Sequence, residues 1–207
     1  MINLSLLSVF IPTFFMVSLT PGMCMTLSMV LGMTVGVKRT LWMMLGELAG
    51  VGLVALAAGA GVATLMLRQP ALFALFKGLG GAYLVYLGVM MWRSRGRMAI
   101  PLEPGQQTDV SRLHLLIQGF VTAIANPKGW AFFIALLPPF LDPSMALAPQ
   151  LAALIAMILS IELLCLLLYA GGGRSASRLL AKGGNVRLLN RIAGTLMIGV
   201  GIWLAVG

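Results

Sequence analysis

Charged residues interrupt this chain at wide intervals, and those intervals set its elements. No charge occurs from Met1 to Val37. From Thr40 to Leu67 the only charge is Glu47, and from Gln69 to Trp92 it is Lys77. From His114 to Leu141 it is Lys128, and from Pro143 to Gly173 it is Glu162. Ile192 to Gly207 carries none. A helix needs about 20 apolar residues to cross the hydrocarbon layer. The runs therefore predict spans near 5–31, 40–67, 70–92, 115–141, 147–171 and 188–206. Strands of a membrane barrel alternate every second residue, and these runs do not. The expected fold is an all-α polytopic membrane protein of six transmembrane helices. The N-terminal run has no basic n-region and continues past any cleavage site, so the first span is expected to stay.

Composition agrees with that reading. Of 207 residues, 60% are hydrophobic and 9% charged, against about 25% charged in a soluble domain. Lipid is the solvent that such a chain suits. The net charge of +9 could suggest nucleic acid, but its distribution points elsewhere. Lys38 and Arg39 lie between spans 1 and 2, and Arg93, Arg95, Arg97 and Arg112 between spans 3 and 4. Arg174, Arg178, Lys182, Arg187 and Arg191 lie between spans 5 and 6. That places eleven of fourteen basic residues on one side, the bias of cytoplasmic loops. It predicts an inner-membrane location with both termini outside the cytoplasm. Membrane lipid, with its anionic headgroups, is the expected partner of those charges, and nucleic acid is not.

The polar stretch from Arg93 to Arg112, with Pro101, Pro104 and Gly105, divides the chain. The expected organisation is a three-helix repeat over 1–92, a cytoplasmic linker over 93–113 and a second three-helix repeat over 114–207. Thr20-Pro21-Gly22 in span 1 answers Asn126-Pro127-Lys128 in span 4, Glu47 in span 2 answers Glu162 in span 5, and Lys77-Gly78-Leu79-Gly80 answers Arg191-Ile192-Ala193-Gly194. Three spans per half invert the second repeat relative to the first. Inverted repeats with broken helices in matching positions mark transporters that bind near the midplane.

These residues are the candidate site. Pro21 and Pro127 each remove a backbone donor and clash with the carbonyl four residues earlier. A break there presents carbonyls and amides to a cavity. Thr20, Pro21, Gly22, Asn126 and Pro127 are therefore candidate substrate-binding positions, the alternative being a plain proline kink. A carboxylate within the membrane costs at least ~2.5–3.5 kcal/mol unless it faces a wet cavity, finds a partner or takes a proton. Glu47 and Glu162 are candidates for binding a substrate ammonium and for carrying the coupling proton. For Glu47, about seven residues into its span, the alternative is snorkelling to the cytoplasmic surface. Lys128 is the candidate counter-charge, for a substrate carboxylate or for one of the two acids. Cys24 and Cys165 lie within spans with no metal-ligand pattern and read as small hydrophobes. The fifteen methionines read as apolar filler. Gly171-Gly172-Gly173 resembles no phosphate loop, no cofactor is implied, and no nucleophile–base pair suggests an enzyme.

Four of these segments together resemble a known group: Thr20-Pro21-Gly22, Gly46-Glu47, Gly81-Ala82-Tyr83-Leu84-Val85-Tyr86-Leu87-Gly88 and Asn126-Pro127-Lys128. In this order and loop layout the chain resembles the LysE/RhtB superfamily of lysine, threonine and homoserine exporters over essentially its whole length. Relatives often have Gly-Asp where this chain has Gly46-Glu47, and usually read Pro-Gly-Pro where it has Pro21-Gly22-Met23. The resemblance implies export of amino acids or their derivatives from the bacterial cytoplasm, driven by the proton gradient. The expected partners are an amino-acid substrate and protons. A homodimer is compatible with the Gly-rich faces of spans 2, 3 and 6. The alternatives are a metal-ion exporter of similar architecture, poorly provided with ligands here, and a thiol-redox carrier using Cys24 and Cys165.

Overall fold

The computed structural model describes residues 4–93, 110–142, 144–181 and 183–206. Every α-helix and 3-10 turn in them follows from local chemistry. Helix α1 (Leu4–Leu19) ends before Pro21, and α2 (Met23–Thr34) starts from an extended Gly22. Gly36, at φ +83°, closes α2 by donating to Leu31 O. A glycine adopts that left-handed turn without the steric cost a Cβ would bring. α3 (Val37–Arg68) stops short of Pro70, which opens α4 (Pro70–Arg93), because a residue preceding proline is pushed out of the helical region.

The second half repeats this punctuation with better caps. Ser111 accepts a hydrogen bond from His114 N at the start of α5 (Arg112–Ile124). Asn126 accepts from Lys128 N at the start of α6 (Pro127–Leu136), with Pro127 at the first helical position, where its missing N–H costs nothing. A 3-10 turn over Pro138–Phe140 follows. In the next loop, Ser144 donates to Asp142 through both side chain and backbone, holding that exposed carboxyl below its usual range. The buried Gln150 accepts from Asp142 N and donates to Asp142 O and Ala146 O, tying the loop to α7 (Leu147–Ala181).

Helix α7 turns at Gly173, φ +35°, and then continues. The stretch read from sequence as a connection after residue 171 is thus helical to Ala181, and α8 (Gly183–Val206) begins two residues later. Ala, Leu and Arg in that stretch are strong helix formers. Of the linker expected over 93–113, residues 94–109 lie outside the described residues.

Among the described residues, three helices are long and apolar enough to cross a membrane: α3 over Val37–Gly61, α7 over Leu147–Gly173 and α8 over Gly184–Trp203. The pair α1–α2, bent by 56°, makes a fourth when taken as one broken span. Only 33% of the α7 window is buried within the protein. Leu164, Leu167 and Leu168 on α7 point outward, as do Leu41, Leu45, Leu53 and Leu56 on α3. Exposed apolar surface on that scale belongs against lipid. The protein is therefore a multi-pass membrane protein. At 1.5 Å per residue, the 13-residue α5 and the 10-residue α6 reach roughly 20 and 15 Å, each short of the ~30 Å hydrocarbon layer.

Three helix pairs dominate the packing: α4 with α8, α3 with α5, and α2 with α7. Each is a close backbone approach made at glycine. A Cβ on Gly88 would fall 2.6 Å from Gly194 O, and one on Gly201 would fall 2.6 Å from Gly81 O. On α3 and α5, a Cβ on Gly46 would run into Leu116 O, and one on Gly119 into Met43 O. On α2, a Cβ on Gly32 would run into Ala170 O. Small residues at the contact are how helices associate when lipid tails are as apolar as the side chains.

Candidate functional site

Pro21 determines the first contact of the site. A helix continuing through residue 21 would satisfy Val17 O with the amide of that residue, and proline has none. Lys128 Nζ takes the vacant place, donating to Val17 O at 3.0 Å and to Thr20 Oγ1 at 2.7 Å. Thr20 in turn donates to Val17 O through its hydroxyl and its amide. A cation at a helix C-terminus also meets the negative end of the helix dipole. The last residue of α1 has its own outside donor, since Tyr169 Oη donates to Leu19 O at 2.7 Å. The last residue of α5 is treated alike, with Trp130 Nε1 donating to Ile124 O at 2.9 Å. Both breaks are thus held open by side chains rather than closed by the backbone.

The start of α2 differs from the start of α6. Asn126 supplies a side-chain acceptor to α6, whereas Gly22 has no side chain with which to cap α2. The first-turn amides of α2 have no partner within their helix. Gly22, Cys24 and Met25 line the cavity at that point.

The two acids are not equivalent. Glu162 Oε2 accepts from Ser18 Oγ at 2.6 Å, and its electrostatic neighbours are Glu47 and Lys128. Glu47 is fully buried and lines the cavity, and its carboxylate oxygens accept from no fixed donor, with the Glu162 carboxyl and the Cys24 thiol within hydrogen-bond reach. Glu162 and Cys24 are its titratable neighbours. The snorkelling alternative for Glu47 is excluded by that burial. The long carboxylate-bearing face of α3 is pressed onto α5 at Gly46 and Gly119, which turns residue 47 inward.

The cavity amounts to about 60 Å³, room for roughly four to six waters. Its polar lining includes Ser18, Thr20, Glu47, Asn126, Lys128 and Glu162. Its apolar lining includes Phe14, Val51, Val54, Phe132 and Phe133. Two apolar clusters flank the polar layer. One gathers Phe10, Phe14, Val54, Phe133, Phe140, Leu154 and Ile158. The other gathers Met25, Met29, Met43, Met44, Cys165, Leu166 and Tyr169.

Six of the eight sequence candidates, Thr20, Gly22, Glu47, Asn126, Lys128 and Glu162, meet in this one cavity. Pro21 and Pro127 act through the backbone, by ending and starting helices. Ser18, Cys24 and Tyr169 were not singled out as site residues. Ser18 could have been noticed as a hydroxyl two residues before the break. Cys24 is the second residue of α2, with its sulfur 4.0 Å from Asn126 Nδ2. Cys24 and Cys165 are both free and buried. Among the described residues, no group of three or more His, Cys, Asp or Glu side chains is placed to hold a metal ion.

Broken apolar helices around a buried carboxylate define a polytopic membrane protein with a small chamber at its breaks, lined by both polar and apolar side chains. The family can be stated outright: residues 15–207 match the LysE type translocator model, and the chain belongs to that family. It is 31% identical to a homoserine/homoserine lactone efflux protein of Salmonella typhi, over 92% of this chain and 91% of that protein. It is 26% identical to a membrane protein of Vibrio cholerae, over 91% of this chain and 90% of that one. A leucine efflux protein of Enterobacter sp. (strain 638) is 29% identical over 63% of this chain and 61% of its own length. No solved structure matches the chain.

Proposed function

We propose that this protein is a secondary exporter of small amino acids, exchanging substrate for protons by alternating access across the bacterial inner membrane. The observation that carries the reading is Glu47, a buried carboxylate whose oxygens accept from no fixed donor, facing a chamber between two apolar clusters. An uncompensated buried charge is costly. A substrate ammonium or a proton would complete it, and the two would compete for the same oxygens. The relatives named for homoserine and leucine efflux make an amino acid the expected cargo. The cargo's carboxylate would meet the uncapped first turn of α2, where helix N-terminal amides favour an anion. Glu162, held by Ser18, would take part in the coupling beside Glu47.

The packing supports six crossings arranged as two inverted three-helix repeats. Taking α1–α2 and α5–α6 as single broken spans, exchange of the two halves maps the α2–α7 contact onto α6–α3, and α3–α5 onto α7–α1. The α4–α8 pair maps onto itself. The positive-inside bias then favours both termini on the periplasmic side.

The test is efflux from proteoliposomes loaded with mixed amino acids, read by mass spectrometry with and without an imposed proton gradient. Loss of amino acids that accelerates with the gradient is the expected result. Retention of every amino acid by folded protein would sink the exporter reading. Efflux indifferent to the gradient would leave the exporter and remove the proton coupling.

A further inference from the structure

The chamber has two unlike ends, and their arrangement follows from contacts between named residues. On α1 and α6 the pairs run in opposite directions. Phe10 meets Phe140 with ring centroids 4.9 Å apart, Phe14 meets Phe132 at 5.7 Å, and Val17 meets Lys128. The two helices are therefore antiparallel at the site. On α3 the order is reversed, with Gly46 against Leu116, Gly50 against Phe120, and Gly59 against Leu137. α3 thus runs parallel to α5 and α6.

Stepping one turn from each polar residue then leads to one place. From Ser18 back to Phe14, from Glu47 on to Val51, and from Lys128 on to Phe132, the three helices all move toward the same side. The polar groups form a floor. Phe14, Val51, Phe132 and Phe133 form an apolar wall one turn above it, with Val54 a turn further along α3, and all five line the cavity. Behind the wall stand Phe10 and Phe140, both fully buried, so it is backed by packed core.

We propose that this wall reads the side chain of the substrate and selects amino acids with aliphatic side chains, such as valine and leucine. The proposal rests on the amino-acid export reading and deepens it. With the ammonium on Glu47, the carbon that bears the side chain sits at floor level and the side chain itself must enter the wall. A hydroxyl or charge placed there would be stripped of water and would find no donor or acceptor among three phenylalanines and two valines, a heavy penalty. An aliphatic group replaces water against apolar surface, which is favourable. The whole cavity, floor included, amounts to about 60 Å³, which leaves less room at the wall for an indole than for a side chain of a few carbons.

The experiment is counterflow into proteoliposomes, with labelled leucine, valine, homoserine, lysine and tryptophan compared at equal concentration in the wild-type protein. Leucine and valine are expected to exchange at least about tenfold better than homoserine or lysine, in line with what a site of defined polarity achieves. Val51→Thr keeps the volume and adds a hydroxyl to the wall. It is expected to lower valine and leucine exchange several-fold and to narrow their lead over homoserine. Phe132→Leu, which keeps the wall apolar, is expected to preserve the preference. Exchange led by homoserine or lysine would overturn the proposal while leaving amino-acid export standing. An unchanged preference in a folded Val51→Thr protein would overturn the wall as its source. Failure of all five substrates to exchange would remove the export reading, and the proposal with it.

Discussion

Lys128 follows an asparagine–proline pair, and a positive charge within an apolar run invites pairing with a carboxylate. In the folded chain its ammonium instead donates to two neutral oxygens on α1, 111 and 108 residues away in sequence. Its duty is to hold the first break in shape. Lys128→Met removes two charge-assisted hydrogen bonds, to Val17 O and Thr20 Oγ1, and is expected to destabilise the protein by about 1.5–3 kcal/mol, read as a lower denaturation midpoint in detergent. Glu47 behaves in the opposite sense. Its carboxylate accepts from no fixed donor and stands beside a second acid, Glu162, so Glu47→Gln is expected to keep or raise the melting temperature. Transport should suffer, because a charge-assisted contact of about 1.5–3 kcal/mol is gone, a drop of roughly 10- to 150-fold in apparent substrate affinity. Unaltered affinity and unaltered proton coupling in that variant would place the ammonium site elsewhere. Which acid would be the free one was not legible in the sequence, since both are lone carboxylates in apolar runs. The difference is one hydroxyl, Ser18, brought from 144 residues away.

At the scale of elements, proline and glycine carry most of the information. The two proline breaks, the boundary at Pro70 and the cap at Gly36 are all visible as residues, because each changes what the backbone can do locally. Glycines that permit close packing are harder to separate from those that do not. Gly199 and Gly201 stand two residues apart on α8. Beyond a Cβ on Gly199 there is open space, whereas one on Gly201 would fall 2.6 Å from a carbonyl of α4. Gly199→Ala is expected to be neutral or to stabilise by up to about 1 kcal/mol through helix propensity. Gly201→Ala is expected to destabilise by about 1–3 kcal/mol through overpacking. Thermal melts of the two variants side by side check both values, and equal melting temperatures would contradict the close approach of α4 and α8.

For the molecule as a whole, a polar chamber lies between two apolar clusters, and each broken helix places its carbonyl ends beside side-chain donors. The orientation in the membrane is a matter of charge. Alkaline phosphatase, which folds to an active form only outside the cytoplasm, is expected to be active when fused after Gly207 and inactive when fused within residues 94–109. The reverse pattern would invert the protein and with it the direction of transport. The sequence by itself determined that this chain is helical and membrane-embedded, because lipid obliges each backbone donor and acceptor to be satisfied inside its own segment. It also marked where the helices break and which ionisable residues lie inside. Only the tertiary structure decided which of those residues stand free, which are tied up, and which apolar groups face them. Such pairings join residues more than a hundred positions apart. They are set by the depth to which one helix sinks against another at a glycine, a quantity no local pattern encodes.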